Sequence, residues 1–296
     1  MTIRTINFLT AASMAFSCLT ANAQDTLQWK FRSQETLKYS VVQNMKTDMI
    51  IGGNNVNQTM NQAMDMSWQV LGSSADGNTV MNQVVNRIRM KMEGGAAGVI
   101  EFDTASTDKP ANPIIATMGE TFQKIVNQPF QVTMQPTGKI EKVEVPPELL
   151  AALKSGAAGN VSALNEETLK QMMKQSAVTL PRQTVGPNSS WTSKQSVQLP
   201  FGTMNIDSAM TYLQKDAVGN AIIDVVPKIT VTPKEGAAIK MTLTSAEGRG
   251  QVTFNIAQGR VAQSRLDLTM SMKIEAANGQ VFDQTITQTT AMTLVP

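Results

Sequence analysis

The chain has no histidine among its 296 residues, and its one cysteine, Cys18, lies close to the N-terminus. Histidine is the usual neutral-pH acid–base group and the commonest metal ligand, and cysteine supplies thiol nucleophiles and disulfides. Much catalytic and metal chemistry is therefore closed. Charge is also scarce: 16% of residues are Asp, Glu, Lys or Arg, against about 25% in ordinary globular domains. Lysine and arginine number 25 against 23 acids, a balance that gives no electrostatic footprint for nucleic acid or an anionic membrane. Aromatics are 5%, thin for the two interfacial girdles of an outer-membrane barrel. After residue 23 no apolar run approaches the roughly 18 residues of a membrane helix.

What is present begins with a leader. Arg4, an apolar run from Ile6 to Leu19 and Ala21-Asn22-Ala23 before Gln24 have the form of a secretory signal peptide, residues 1–23. The expected location of the mature chain is periplasmic or extracellular. A lipoprotein signal would also put a cysteine at the end of the apolar run. Phe16, two residues before Cys18, fits that pattern poorly, so Cys18 reads as a small apolar residue of the leader.

Period-two alternation dominates the remainder. From Leu37 to Ile51 the odd positions include Leu37, Tyr39, Val41, Met45, Met49 and Ile51. After Gly52-Gly53-Asn54-Asn55 the even positions take over, with Val56, Met60, Met64, Met66, Trp68 and Val70. A third run sets Val80, Val84, Ile88, Met90 and Met92 on one side and Gln83, Arg87, Arg89 and Lys91 on the other. Such patterns predict antiparallel strands with one dry face. At about 15 residues each, far beyond the usual five or six, they must twist and curve. Pro227, inside the strand-like IIDVVPKITV, predicts an edge or a bulge.

Two segments break the alternation. Asn112-Pro113 reads as an N-cap and first helical residue, with Ile114, Ile115, Met118, Phe122, Ile125 and Val126 on one stripe, predicting a helix over 112–128. Helical patterning returns after Pro146-Pro147 and again from Asn165. The expected organisation is a β half over 24–145, a helical connector over 146–178 and a second β half over 179–296. Short matches relate the halves: VTMQPTGKI from Val132 parallels VTFNIAQGRV from Val252, as an internal duplication would.

Other constellations have plainer explanations. Ser106-Thr107-Asp108-Lys109 spells S-x-x-K but lies in a turn-rich stretch without the companion S-D-N or K-T-G motifs. Glu166 and Glu167 point about 100° apart on a helix and belong to its first turn rather than to a carboxylate dyad. Arg87, Arg89 and Lys91 read as a solvated stripe. The 20 methionines, many at i, i+2 spacing, could offer thioethers to a soft ion. Their phase with Val, Ile and Trp favours instead an adaptable apolar face. No catalytic residue, metal site or cofactor is assigned.

The segments LQWKFRSQETLKYSVVQNMKTDM from Leu27, MNQAMDMSWQVL from Met60, VNRIRMKME from Val85 and VTMQPTGKIEKVEVPPELLAALK from Val132 resemble an uncharacterised family of exported bacterial proteins known only as a domain of unknown function. The resemblance implies an envelope β-protein and brings no active site. In outline, the long curved strands are also similar to the unclosed half-barrels of lipoprotein carriers, an analogy of architecture alone.

The expectation is therefore a mainly β protein of two similar halves, each a long curved antiparallel sheet, with the helices covering part of the concave apolar faces. The expected role is non-enzymatic: binding an apolar or amphiphilic small molecule, a lipid or an envelope partner through a face lined by Met64, Met66, Trp68, Met90 and Met92. The alternative is a structural or protein-interaction module whose apolar faces are closed by its own helices.

Overall fold

A computed structural model describes residues 24–95, 98–107, 113–150, 170, 173, 177–199, 201–237, 239–276 and 279–296. Residues 1–23, the expected leader with Cys18, and Asn112, the S-x-x-K lysine Lys109, Glu166 and Glu167 lie outside the described residues, as does most of the expected helical connector.

Twelve strands form one sheet. The first meander is β1 (Thr36–Ile51), β2 (Asn54–Ser73), β3 (Thr79–Gly94), the short β4 (Ile100–Asp103), β5 (Pro129–Met134) and β6 (Ile140–Glu144). The second is β7 (Ser190–Leu199), β8 (Gly202–Lys215), β9 (Asn220–Pro233), β10 (Ile239–Asn255), β11 (Arg260–Ala276) and β12 (Val281–Val295). The order across the sheet is β6-β5-β3-β2-β1-β12-β11-β10-β9-β8-β7, with β4 on the far part of β3. Both halves thus belong to one antiparallel sheet, joined along β1 and β12 from Lys38↔Val295 to Ile50↔Asp283. The sheet is not closed into a barrel.

The face that carries the core is called the inner face. On β1 it takes the odd positions and on β2 the even ones, since Leu37 opposes Trp68 and Met45 opposes Met60. On β3 the simple alternation fails. The register shift between Asp65 and Met66 marks a bulge on β3 at Asn86 that reverses that strand's parity beyond it, while the shift between Val70 and Gly72 places a second bulge on β2 at Leu71. Gln83, expected outside, is therefore fully buried opposite Trp68, while Val80 sits outside the ladder's inner row.

The sheet curls around Trp29. Strands β2 and β10 are four ladder steps apart, about 19 Å on a flat sheet. Yet the Trp29 ring lies 5.6 Å from Trp68 on β2 and 5.9 Å from Phe254 on β10. Trp68 in turn packs on Tyr39 at 4.9 Å, and the Tyr39 hydroxyl donates to the Val261 carbonyl across β12 at 3.2 Å. One continuous core results at this end, including Met81, Val132, Met134, Tyr212, Ile223 and Val261, with Leu149, Leu180 and Val185 from the segment between β6 and β7.

Residues 25–30 and 177–185 seal that end. Asp25 and Val185 form an antiparallel bridge, and the Trp29 indole N–H donates to the Val178 carbonyl at 3.0 Å. The backbone N–H groups of Trp29 and Lys30 donate to Pro136 and Gly259 at 2.7 and 2.8 Å, so the β5–β6 and β10–β11 turns clasp this dipeptide from either side. Those are the two turns that the sequence matched between halves. Each carries a glycine at positive φ, Gly138 and Gly259, with no room for a side chain: a Cβ on Gly138 would come 2.2 Å from the Val178 oxygen, and one on Gly259 would come 2.5 Å from Lys30.

Helix α1 runs over Pro113–Ile125, shorter than expected because Asn127 adopts a left-handed φ of 63° just before Pro129. Its Phe122 ring meets Phe102 of β4 at 5.8 Å. The helix therefore packs at the β3–β4 rim. Of the second helical region only 147–150, Lys170 and Met173 are described.

Pro227 behaves as its lack of an N–H requires. The β8–β9 ladder passes through it at Ser208↔Pro227, but the β9–β10 register is confined to the six pairs from Val225↔Gly250 to Asn220↔Asn255. Beyond Val225 the β9 strand is an edge toward β10 among the described residues.

Candidate functional site: the inner face

Away from the sealed end, the inner face continues beyond the core cluster, with Thr47, Ile88, Met90, Met272 and Ile274 also buried on it. The strand registers place every one of the fifteen strand methionines on this face. Five of them, Met81, Met90, Met134, Met210 and Met272, are buried. The other ten, among them Met45, Met60, Met64, Met66, Met92 and Met270, are half-buried. Met45, Met60 and Met92 stand directly opposite one another across β1, β2 and β3. An unbranched thioether suits such a surface because it repacks against different shapes at little cost.

Charge is partitioned just as sharply. In β1, β2, β3, β9, β10, β11 and β12 no Asp, Glu, Lys or Arg falls in phase with the inner face. On the outer face charges pair with each other. Arg87 pairs with Asp103, Arg89 with Asp65 at 2.8 Å, and Lys91 with both Glu93 and Glu101 at 2.9 and 3.2 Å. The basic stripe is thus neutralised by its own strand neighbours. The two hydrogen bonds from Arg87 hold the Asp103 carboxyl down to about 2, helped by the Ala105 N–H. An open recess of about 710 Å³ lies mainly on this outer side, lined by Val42, Asn44, Ala63, Arg89, Lys91 and Glu101 among others. Its charged lining residues are held in ion pairs, although the Arg89 Nε is buried without a partner among the described residues.

The polar residues of the inner face are uncharged and concentrated on the central strands. Gln43 opposes Gln62 on β2 and Thr290 on β12, Met45 opposes Gln288, and Thr47 opposes Gln58. Flanking them are Ile88, Met90 and Met92 on β3 and Leu266, Leu268 and Met270 on β11.

Of the five lining residues expected from sequence, all share the inner face. Met64, Met66 and Met92 are half-buried and Met90 is 7% exposed. Trp68, 1% exposed, sits in the sealed core against Trp29 and Tyr39, its indole N–H without a partner among the described residues. Sequence reasoning missed the β11 and β12 contribution to the same surface, because it treated the halves as separate sheets. Pairing of β1 with β12 brings Met292, Ile286 and Met270 beside Val41, Thr47 and their neighbours. Among the described residues no group of three or more His, Cys, Asp or Glu is placed to hold a metal, and no helix is long and apolar enough to cross a membrane.

Comparison with known proteins gives a family without a function. The model of a family of unknown function (DUF6263) matches residues 76–261. No curated protein matches. Among solved structures, lipovitellin is similar with a TM-score of 0.47 and 8% identity, over 90% of this chain and 26% of that one. This chain therefore spans about a quarter of lipovitellin's length. An outer-membrane channel from Pseudomonas putida F1 gives a TM-score of 0.26 at 7% identity, covering 90% and 98% of the two chains. A DUF1329 family protein from Desulfovibrio piger gives 0.16 at 10% identity, covering 86% and 84%.

Proposed function

The chain belongs to the family of unknown function DUF6263, and from that starting point we propose that it is an exported binding protein, not an enzyme, which holds an apolar or amphiphilic ligand on its inner face. The observation that carries this reading is the gathering of fifteen strand methionines on one face, ten of them half-buried and nine of those ten beyond the sealed core, Met292 alone packing against it. A purely structural sheet would be expected to close such a surface with its own core, as this sheet does at the Trp29 end. Export rests on the leader at 1–23.

Uptake of an environment-sensitive apolar dye tests the proposal. Met60→Glu puts a charge on the inner face, whereas Thr59→Glu, one residue away, puts it on the outer face. Loss of uptake in the first variant with retention in the second, both folded by circular dichroism, is the expected result. Equal uptake by both would remove the inner face as the site and leave the structural or interaction module as the working account.

A further inference from the structure

The composition of the inner face specifies more than apolarity. Resting on the reading of this face as the ligand site, we infer that its ligand is an uncharged lipid carrying ester, amide or hydroxyl groups, and not an ionised fatty acid or an anionic phospholipid.

Three observations lead there. First, seven strands contribute to the face without one charged side chain in phase with it. A carboxylate or phosphate moved onto it would lose hydration and meet no cation. Second, Arg89 and Lys91 of β3 belong to the opposite face and are engaged by Asp65, Glu93 and Glu101, and the largely buried Arg260 is engaged by Glu35. Third, the face is not simply greasy. Gln43, Gln62, Gln58 and Gln284 lie half-buried on the central strands, and no side-chain hydrogen bond among the described residues engages them. Primary amides both donate and accept. They match carbonyl and hydroxyl oxygens of a neutral head or linkage, while the methionine and leucine wings on β3 and β11 accommodate chains.

The test displaces a bound apolar dye from the full mature chain with methyl laurate or with laurate, which share a chain and differ in charge. At about pH 8, where a carboxylate with an ordinary pKa near 4 to 5 is ionised, the ester should displace the dye at a concentration at least about tenfold lower. Gln62→Lys, placing a cation beside Gln43, should reverse the preference. Equal or better displacement by laurate from the unaltered protein, or no change of preference in a folded Gln62→Lys variant, would overturn the inference while leaving the face as a lipid site. Failure of the dye to bind at all would overturn the site itself and this inference with it.

Discussion

Pro227 presses against Gly248 so closely that a Cβ on that glycine would lie 2.6 Å from the proline Cγ. The contact sits where the β9–β10 ladder stops, two residues past Val225↔Gly250. A ring without an N–H on one strand meets a residue without a side chain on the next, and the sheet turns tightly there with fewer hydrogen bonds. Hydrogen exchange is therefore expected to be faster in 226–233 than in 38–50 of β1, which is paired on both sides. Gly248→Ala should widen this seam and raise exchange in 226–233 further.

The closed end makes a different prediction, from two tryptophans in one cluster. Trp29 donates its indole N–H to Val178, whereas that of Trp68 has no partner among the described residues. Replacing either by Phe removes similar ring volume, but only at Trp29 does it also leave a carbonyl unpaired. Trp29→Phe should cost about 1–2 kcal/mol more than Trp68→Phe in denaturant unfolding. Equal losses would mean that the Trp29 hydrogen bond contributes nothing to sealing this end.

The two clasping turns give a third. Gly138 and Gly53 both have positive φ, but only Gly138 is hemmed in, by the Val178 oxygen and the Trp29 indole. Gly53→Ala should cost about 1 kcal/mol, the price of a left-handed alanine. Gly138→Ala should cost more by about 2 kcal/mol, because the Trp29 segment must also shift. Urea midpoints of the two variants, read with an unchanged slope, would measure the difference.

Among the carboxyls held low, which include Asp216 and Asp267, Asp103 is the most strongly shifted source of acid sensitivity. Arg87 lowers the Asp103 carboxyl to about 2, below the roughly 3.9 of an unfolded aspartate. The pair's contribution is therefore complete above about pH 4 and disappears as the pH falls toward 2. Asp103→Asn should lower stability at neutral pH and reduce its decline over that interval. A variant that declines as steeply as the parent would place the acid-sensitive carboxyl elsewhere.

Much of this architecture is legible in the residues. The alternation of β1 and β2 gives both strands and both faces correctly, and Pro227 announces its break in pairing. The β3 pattern misleads because one bulge, between Arg87 and Val85 opposite Asp65 and Met66, reverses its parity, and a bulge leaves little trace in hydrophobic periodicity. The pairing of β1 with β12 is invisible for another reason: it joins residues some 250 positions apart, and period-two patterns identify faces without identifying neighbours. Hence the shared face of Met64, Met66, Met90 and Met92 is legible in the alternation, while its β11 and β12 wing and the burial of Trp68 against Trp29 are not.

Whether the inner face is occupied is settled most directly by native mass spectrometry of the protein purified from the cells that make it, before and after organic extraction. The account predicts a reproducible added mass that extraction removes, with the fragments of a neutral lipid. A bare chain mass in both spectra, together with no uptake of apolar dye by the extracted protein, would contradict it.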